Sequence, residues 1–91
     1  MEKMDAIAKL SALAQPTRLD IYLAIARAKK GITSTEVAEQ TGTMPTNTSV
    51  HLSILRNAGL VSSTKAGRTV TYRADGDALQ TLSRFLIDAV G

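Results

Sequence analysis

Short polar side chains recur along one side of the segment Pro45–Leu60, PTNTSVHLSILRNAGL, and their chemistry suits contact with a nucleic acid. At the helical step of about 100° per residue, that side carries Thr46, Ser49, Val50, Ser53 and Asn57, with Arg56 at its border. Hydroxyl groups can bond to base edges or phosphates, and valine can contact a thymine methyl group. The alternative is an amphipathic surface helix whose polar residues face water.

The opposite side of the segment is suited to a protein core. It carries Thr48, Leu52 and Leu55, flanked by His51, Ile54 and Ala58. Pro45 is favourable in a first helical turn, and Gly59 is favourable just past a helix end. The segment is therefore predicted to be a helix with both boundaries marked.

Other residues could also contact a polyanion. Lys65 and Arg68 fall in a predicted hairpin turn, and Thr33 and Ser34 precede a predicted helix whose N–H groups could hold a phosphate. For the first pair the alternative is a solvated turn, and for the second it is helix capping. Asn47 could contact adenine, although its position toward the core side favours a local role at the helix start.

The charge distribution supports a polyanionic partner. The net charge is +3, and residues 27–73 contain seven Lys and Arg but only two Glu. Such a field attracts polyanions, although local asymmetry of this size also occurs in other soluble proteins.

There is no Cys, and the longest apolar run, Ile21 to Ala26, is far shorter than the roughly 20 residues of a membrane span. We therefore expect a cytoplasmic protein without disulfides, thiolate metal sites or a membrane partner.

The elements predicted along the chain form one domain, residues 1–91. Helices are expected over residues 2–13, from Thr17 to about Lys29, from about Thr33 to Gly42, from Pro45, and after the capping residue Asp75. Between the last two helices, Leu60 to Thr64 and Thr69 to Ala74 alternate as strands around the turn Lys65–Arg68. The fold class is mainly α with a β hairpin, in the order ααααββα, which is that of a winged helix-turn-helix.

The two terminal helices carry more apolar surface than one small domain can easily bury. We expect them to pair with the same helices of a second copy, giving a homodimer. The predicted interface residues are Met4, Ile7, Leu10, Leu79, Leu82, Phe85, Leu86 and Val90.

Four segments resemble the arsenic-repressor (ArsR/SmtB) family of dimeric winged-helix transcriptional repressors: AQPTRL (14–19), TEVA (35–38), SVHLSILRNAGL (49–60) and GRTVTY (67–72). The resemblance implies a homodimer that binds a pseudo-palindromic operator in double-stranded DNA. It assigns Thr46, Ser49 and Val50 to the recognition helix, and Lys65, Arg68 and Thr69 to the wing. Pro45 stands where many relatives carry a polar residue, and Thr48 where they usually carry an apolar one. These departures bear on which operator sequence is recognised.

No cofactor, metal site or catalytic residue is predicted. The lone histidine, His51, lies about 200° around the helix from Ser49, so the two cannot act as a dyad. The family's paired cysteines would fall at Thr33 and Thr35, and Asp75, Asp77 and Asp88 have no histidine near them. The sequence indicates no effector. Alternatives are a protein-interaction module, or a regulator that responds to a hard metal ion or an organic effector.

Overall fold

The computed structural model describes all residues from Met1 to Gly91 as five helices and a three-stranded sheet. In chain order the elements are α1 (Lys3–Leu13), α2 (Pro16–Arg27), β1 (Ile32–Thr33), α3 (Ser34–Thr41), α4 (Pro45–Asn57), β2 (Val61–Ala66), β3 (Thr69–Ala74) and α5 (Gly76–Val90). The predicted order of helices and hairpin is confirmed. Strand β1 was not predicted, and α2 ends two residues earlier than expected.

The core forms where α2 packs against α3, α4 and the sheet. Ile21, Tyr22 and Ile25 of α2 are buried, as predicted for the central helix, and Leu52 and Leu55 of α4 meet them. Leu19 and Leu23 lie on the outer side of α2 and remain exposed, so the apolar side of α2 is narrower than its sequence suggests. No helix is both long and apolar enough to cross a membrane.

The sheet has the order β1-β3-β2, with both pairings antiparallel. Ile32 pairs with Tyr72, so the chain after α2 is joined to the base of the hairpin. Gly31 makes this close approach possible: its φ is 97°, and a Cβ there would overlap the γ-methyl of Thr71. The hairpin is thereby attached to the helical layer.

Candidate nucleic-acid interface

Helices α3 and α4 form a compact helix-turn-helix. Gly42 ends α3 with a φ of 66°, and α4 begins three residues later at Pro45. Thr48, the polar residue at a core position of α4, is completely buried, and its hydroxyl donates to the carbonyl of Met44 at 3.0 Å. That hydrogen bond satisfies the hydroxyl within the helix, so Thr48 can occupy an apolar position without an unpaired polar group.

The outward face of α4 is exposed to solvent. Thr46, Asn47, Ser49, Val50, Ser53, Arg56 and Asn57 are all exposed. Ser49 Oγ donates to the carbonyl of Pro45 at 3.2 Å, and Arg56 Nη1 lies 3.5 Å from Ser63 Oγ on β2. Ile54 was predicted to flank the core but is 36% exposed, because it lies nearer to Val50 than to Leu52 around the helix. The structure thus presents the predicted face to solvent, with Ile54 beside it.

The β2–β3 hairpin carries the predicted wing residues. The turn has two residues, Gly67 and Arg68, instead of four, because Lys65 and Ala66 pair with Val70 and Thr69. Gly67 supplies the positive φ, 62°, at the first position of this tight turn. Lys65, Arg68 and Thr69 are exposed, with Lys65 in the strand and Arg68 at the tip.

The cations of this region lack carboxylate partners within the chain. The only salt bridge joins Lys9 and Asp5 in α1, at 2.7 Å. Arg56 and Arg73 instead contact a hydroxyl and a backbone carbonyl, and the side chains of Lys65 and Arg68 make no hydrogen bond or ion pair within the chain. The positive charge of residues 27–73 is therefore available to an external anion.

Thr33 acts as a helix cap in this structure. Its hydroxyl accepts from the N–H of Glu36 at 3.2 Å, while Glu36 Oε1 accepts from the Thr33 N–H at 3.0 Å and from its hydroxyl at 2.9 Å. The Thr33 N–H and then its hydroxyl lower the pKa of the Glu36 carboxyl. A carboxylate thus occupies the N-terminus of α3 and would repel a phosphate. The structure favours capping over a phosphate contact at Thr33, and the half-buried Ser34 adjoins the same carboxylate.

Two side chains, Arg18 and Lys9, connect the region of α1 to the middle and to the end of α4, and neither contact has a local signal in the sequence. Arg18 lies between the end of α1 and His51 of α4, with Nη1 3.5 Å from Nδ1. Lys9 is buried, and its ammonium lies 3.3 Å from the position a Cβ would take at Gly59, just past the end of α4. A cation is favourable at that end of a helix.

The predicted dimer residues divide between surface and interior. Leu82 is buried within the chain and Phe85 is half-buried, so Leu82 belongs to the contact between α5 and the rest of the protomer. Exposed on the terminal helices are Met4, Ile7, Leu10, Leu79, Leu86 and Val90. Ile87, which was not predicted, joins them with 59% of its surface exposed.

The three aspartates of the last helix do not form a common site. Asp75 caps α5 by accepting from the N–H of Ala78 at 3.1 Å, and Asp88 lies about 20 Å further along the helix axis. No group of three or more His, Cys, Asp or Glu residues is placed to hold a metal ion.

Comparisons with known proteins agree with this geometry. A family model described as a helix-turn-helix domain matches residues 13–64. An ArsR-like transcriptional regulator from Rhodococcus sp. RHA1 superposes with a TM-score of 0.87 at 29% identity, over 94% of this chain and 79% of that one. A possible transcriptional regulator for arsenical resistance is 32% identical over 90% of this chain and 82% of its own, with a TM-score of 0.76.

A third similar structure is described as a homodimer. It is the winged helix-turn-helix DNA-binding domain of a possible ArsR-family regulator from Mycobacterium bovis, with a TM-score of 0.74 and 27% identity over 94% of this chain and 80% of that one. No curated protein matches the chain in sequence at a significant level.

The helix-turn-helix, the hairpin wing and these matches define a DNA-binding transcriptional regulator, and not an enzyme. The chain belongs to the ArsR/SmtB family of winged helix-turn-helix regulators. Helix α4 is from here on called the recognition helix.

Proposed function

We propose that this regulator is a repressor that binds a pseudo-palindromic operator as a homodimer and does so without Cys or His metal-sensing sites. We place it in the cytoplasm, where proteins without disulfides are common. The observation that carries the proposal is the exposed face of the recognition helix beside a basic wing whose cations have no carboxylate partner. The repressor role rests on the family to which the chain belongs.

The proposed DNA contacts are of two kinds, contacts to base edges and contacts to the backbone or minor groove, and they come from different parts of the fold. Thr46, Ser49, Val50 and Ser53 lie on the outward face of the recognition helix, and Asn47 is exposed beside that face; we propose that these five residues contact base edges. Arg56, Lys65, Arg68 and Thr69 lie at the end of that helix and on the hairpin, where they would contact the backbone or the adjoining minor groove.

Homodimerisation is supported by how α1 and α5 distribute their side chains. Helix α1 turns Ala6, Lys9 and Ala12 inward and leaves its larger apolar residues, Met4 and Ile7, outside. Helix α5 has 15 residues, and only Leu82 is buried. A second copy that covers both helices would bury this surface in an isologous interface, and would set two recognition helices about one turn of DNA apart.

Regulation without a metal is supported by the chemistry of the chain. It has no Cys, and its one His contacts Arg18, a cation that disfavours a bound metal ion. Asp75 is engaged as a cap and lies far from Asp88. Titration calorimetry with zinc, nickel and magnesium should therefore give no binding heat, and metal-dependent loss of operator affinity would contradict this part of the proposal.

The DNA-binding proposal is tested by fluorescence anisotropy on duplexes that the protein selects from host genomic fragments. Affinity should fall steeply as salt rises, because each neutralised phosphate releases counterions. Arg68→Ala should weaken binding and reduce the slope of log K against log salt by about one unit. Lys3→Ala, which removes a cation from α1, is the matched control and should leave the slope unchanged. Salt-independent binding, or equal effects of the two variants, would overturn the assignment of the wing.

A further inference from the structure

Two large apolar side chains are exposed in and just before the first two turns of the recognition helix. Val50, on its outward face, is 58% exposed, and Met44, the residue that caps the helix, is 67% exposed. Neither residue lies on α1 or α5, so the proposed dimer interface does not account for them. An exposed apolar side chain on a helix that enters the major groove can pack against the one apolar group that the base edges present there, the thymine methyl.

The polar groups on the same face are few, short and partly engaged. Between Pro45 and Ile54 there is no Arg, Lys or Gln, so the common bidentate contact of a basic side chain with guanine is absent from the first turns. The Ser49 hydroxyl uses its only hydrogen on the carbonyl of Pro45, at 3.2 Å, and can then only accept. Asn47 is the one side chain of this stretch that can form a bidentate pair, with adenine.

We propose that Val50 and Met44 are specificity residues that recognise thymine through its C5 methyl group. In the major groove thymine alone presents a methyl group, so an apolar side chain that packs against it discriminates among the four bases without a hydrogen bond. Operator half-sites would accordingly place thymines opposite the first two turns of the recognition helix. The inference rests on the proposed function, because it takes that helix as the element in the groove.

The experiment uses deoxyuridine, which differs from thymidine only by the missing methyl group. The wild-type protein first selects a duplex from a random pool, and each thymine of that duplex is then replaced singly by deoxyuridine. Affinity measured by anisotropy should fall about fourfold at one or two thymines per half-site, which corresponds to losing one buried methyl-sized group. Replacements elsewhere in the duplex should have no effect.

Variants then connect each sensitive thymine to a side chain. Val50→Ala should remove the deoxyuridine penalty at one position, and Met44→Ala should remove it at another. Val50→Thr keeps the shape of the side chain and replaces Val50→Ala if the alanine variant is unstable. It should reduce the deoxyuridine penalty at the same position. Leu23→Ala, a partly exposed apolar residue of α2, is the control and should keep every penalty.

Each other outcome has a defined meaning. A selected duplex that tolerates deoxyuridine at every position would overturn this inference and leave the proposed DNA binding intact. Penalties that persist in both Val50→Ala and Met44→Ala would also overturn it, because other residues would then contact the methyl groups. Failure to select any duplex would overturn the proposed function and this inference with it.

Discussion

The guanidinium of Arg18 lies 3.5 Å from the imidazole Nδ1 of His51, which places a fixed cation against the middle of the recognition helix. The same guanidinium donates through Nε to the carbonyl of Ala12 at 2.8 Å. That carbonyl belongs to the last turn of α1, where carbonyls lack partners within the helix and cations are favourable. Arg18 of α2 therefore joins the helix proposed for dimerisation to the helix proposed for DNA recognition.

Removing the Arg18 cation should raise the pKa of His51. Burial of the imidazole and then the positive charge of Arg18 hold this pKa below its ordinary value. In Arg18→Gln the second cause disappears and the pKa should rise, though not completely, because burial remains. His51 is the only histidine, so its ring signals can be followed by NMR without assignment. Arg84→Gln on exposed α5 is the control, and an unchanged pKa in Arg18→Gln would contradict the contact.

The lowered pKa of His51 also makes stability depend on pH. As pH falls below about 6.5, the unfolded chain binds a proton at His51 before the folded chain does, so the free energy of unfolding should decrease. Well above pH 6.5, His51 is neutral in both the folded and the unfolded chain, so its titration no longer changes the free energy of unfolding. We expect urea unfolding to show wild type losing more stability than His51→Gln between about pH 7.5 and about pH 5.5. Parallel pH profiles for the two proteins would show that His51 titrates normally in the fold.

Local chemistry was sufficient to predict most of this architecture. Pro45 and Gly59 mark the ends of the recognition segment, the Thr33–Glu36 box marks the start of α3, and Asp75 caps α5. Each of these signals acts within about four residues, so the sequence alone contains it. The apolar side of α4 followed from helical spacing, which correctly placed Leu52 and Leu55 in the core.

Features that depend on distant partners could not be predicted in the same way. Strand β1 has two residues and exists only because Ile32 and Thr33 pair with β3, about 40 positions later in the chain. A lysine at position 9 of an amphipathic helix is expected at the surface. In the fold Lys9 is buried, and its ammonium group lies against Gly59, just past the end of α4. The hydroxyl of Ser49 was predicted to donate or accept at base edges or phosphates, and folding directs its hydrogen to the carbonyl of Pro45, which leaves it able to accept.

Gly31 should tolerate substitution less well than any other glycine of the chain. Its φ of 97° is unfavourable for alanine, and an added Cβ would overlap Thr71 on β3. Gly42 has a φ of 66° but open space around it, so Gly42→Ala isolates the backbone cost of about 1–2 kcal/mol. Gly31→Ala should cost more than Gly42→Ala in urea unfolding. Gly76→Ala at the start of α5, where φ is negative and space is open, should be neutral or stabilising. Equal losses of stability in Gly31→Ala and Gly42→Ala would show that β3 moves aside to make room for the Cβ at position 31.

Ile87→Asp should separate the proposed dimer into folded monomers. Ile87 is 59% exposed in the single chain, so a carboxylate there leaves the protomer's own core intact, whereas in the dimer it would be buried without a partner. Val50→Asp is matched to it, because Val50 is 58% exposed but lies on the recognition helix. Sedimentation velocity over a concentration series should show a dimer for wild type and Val50→Asp, and a monomer with an unchanged circular dichroism spectrum for Ile87→Asp. If Val50→Asp dissociates instead, the copies meet through the recognition helices. That arrangement would block the groove-facing surface and would contradict both the interface and the proposed mode of DNA binding.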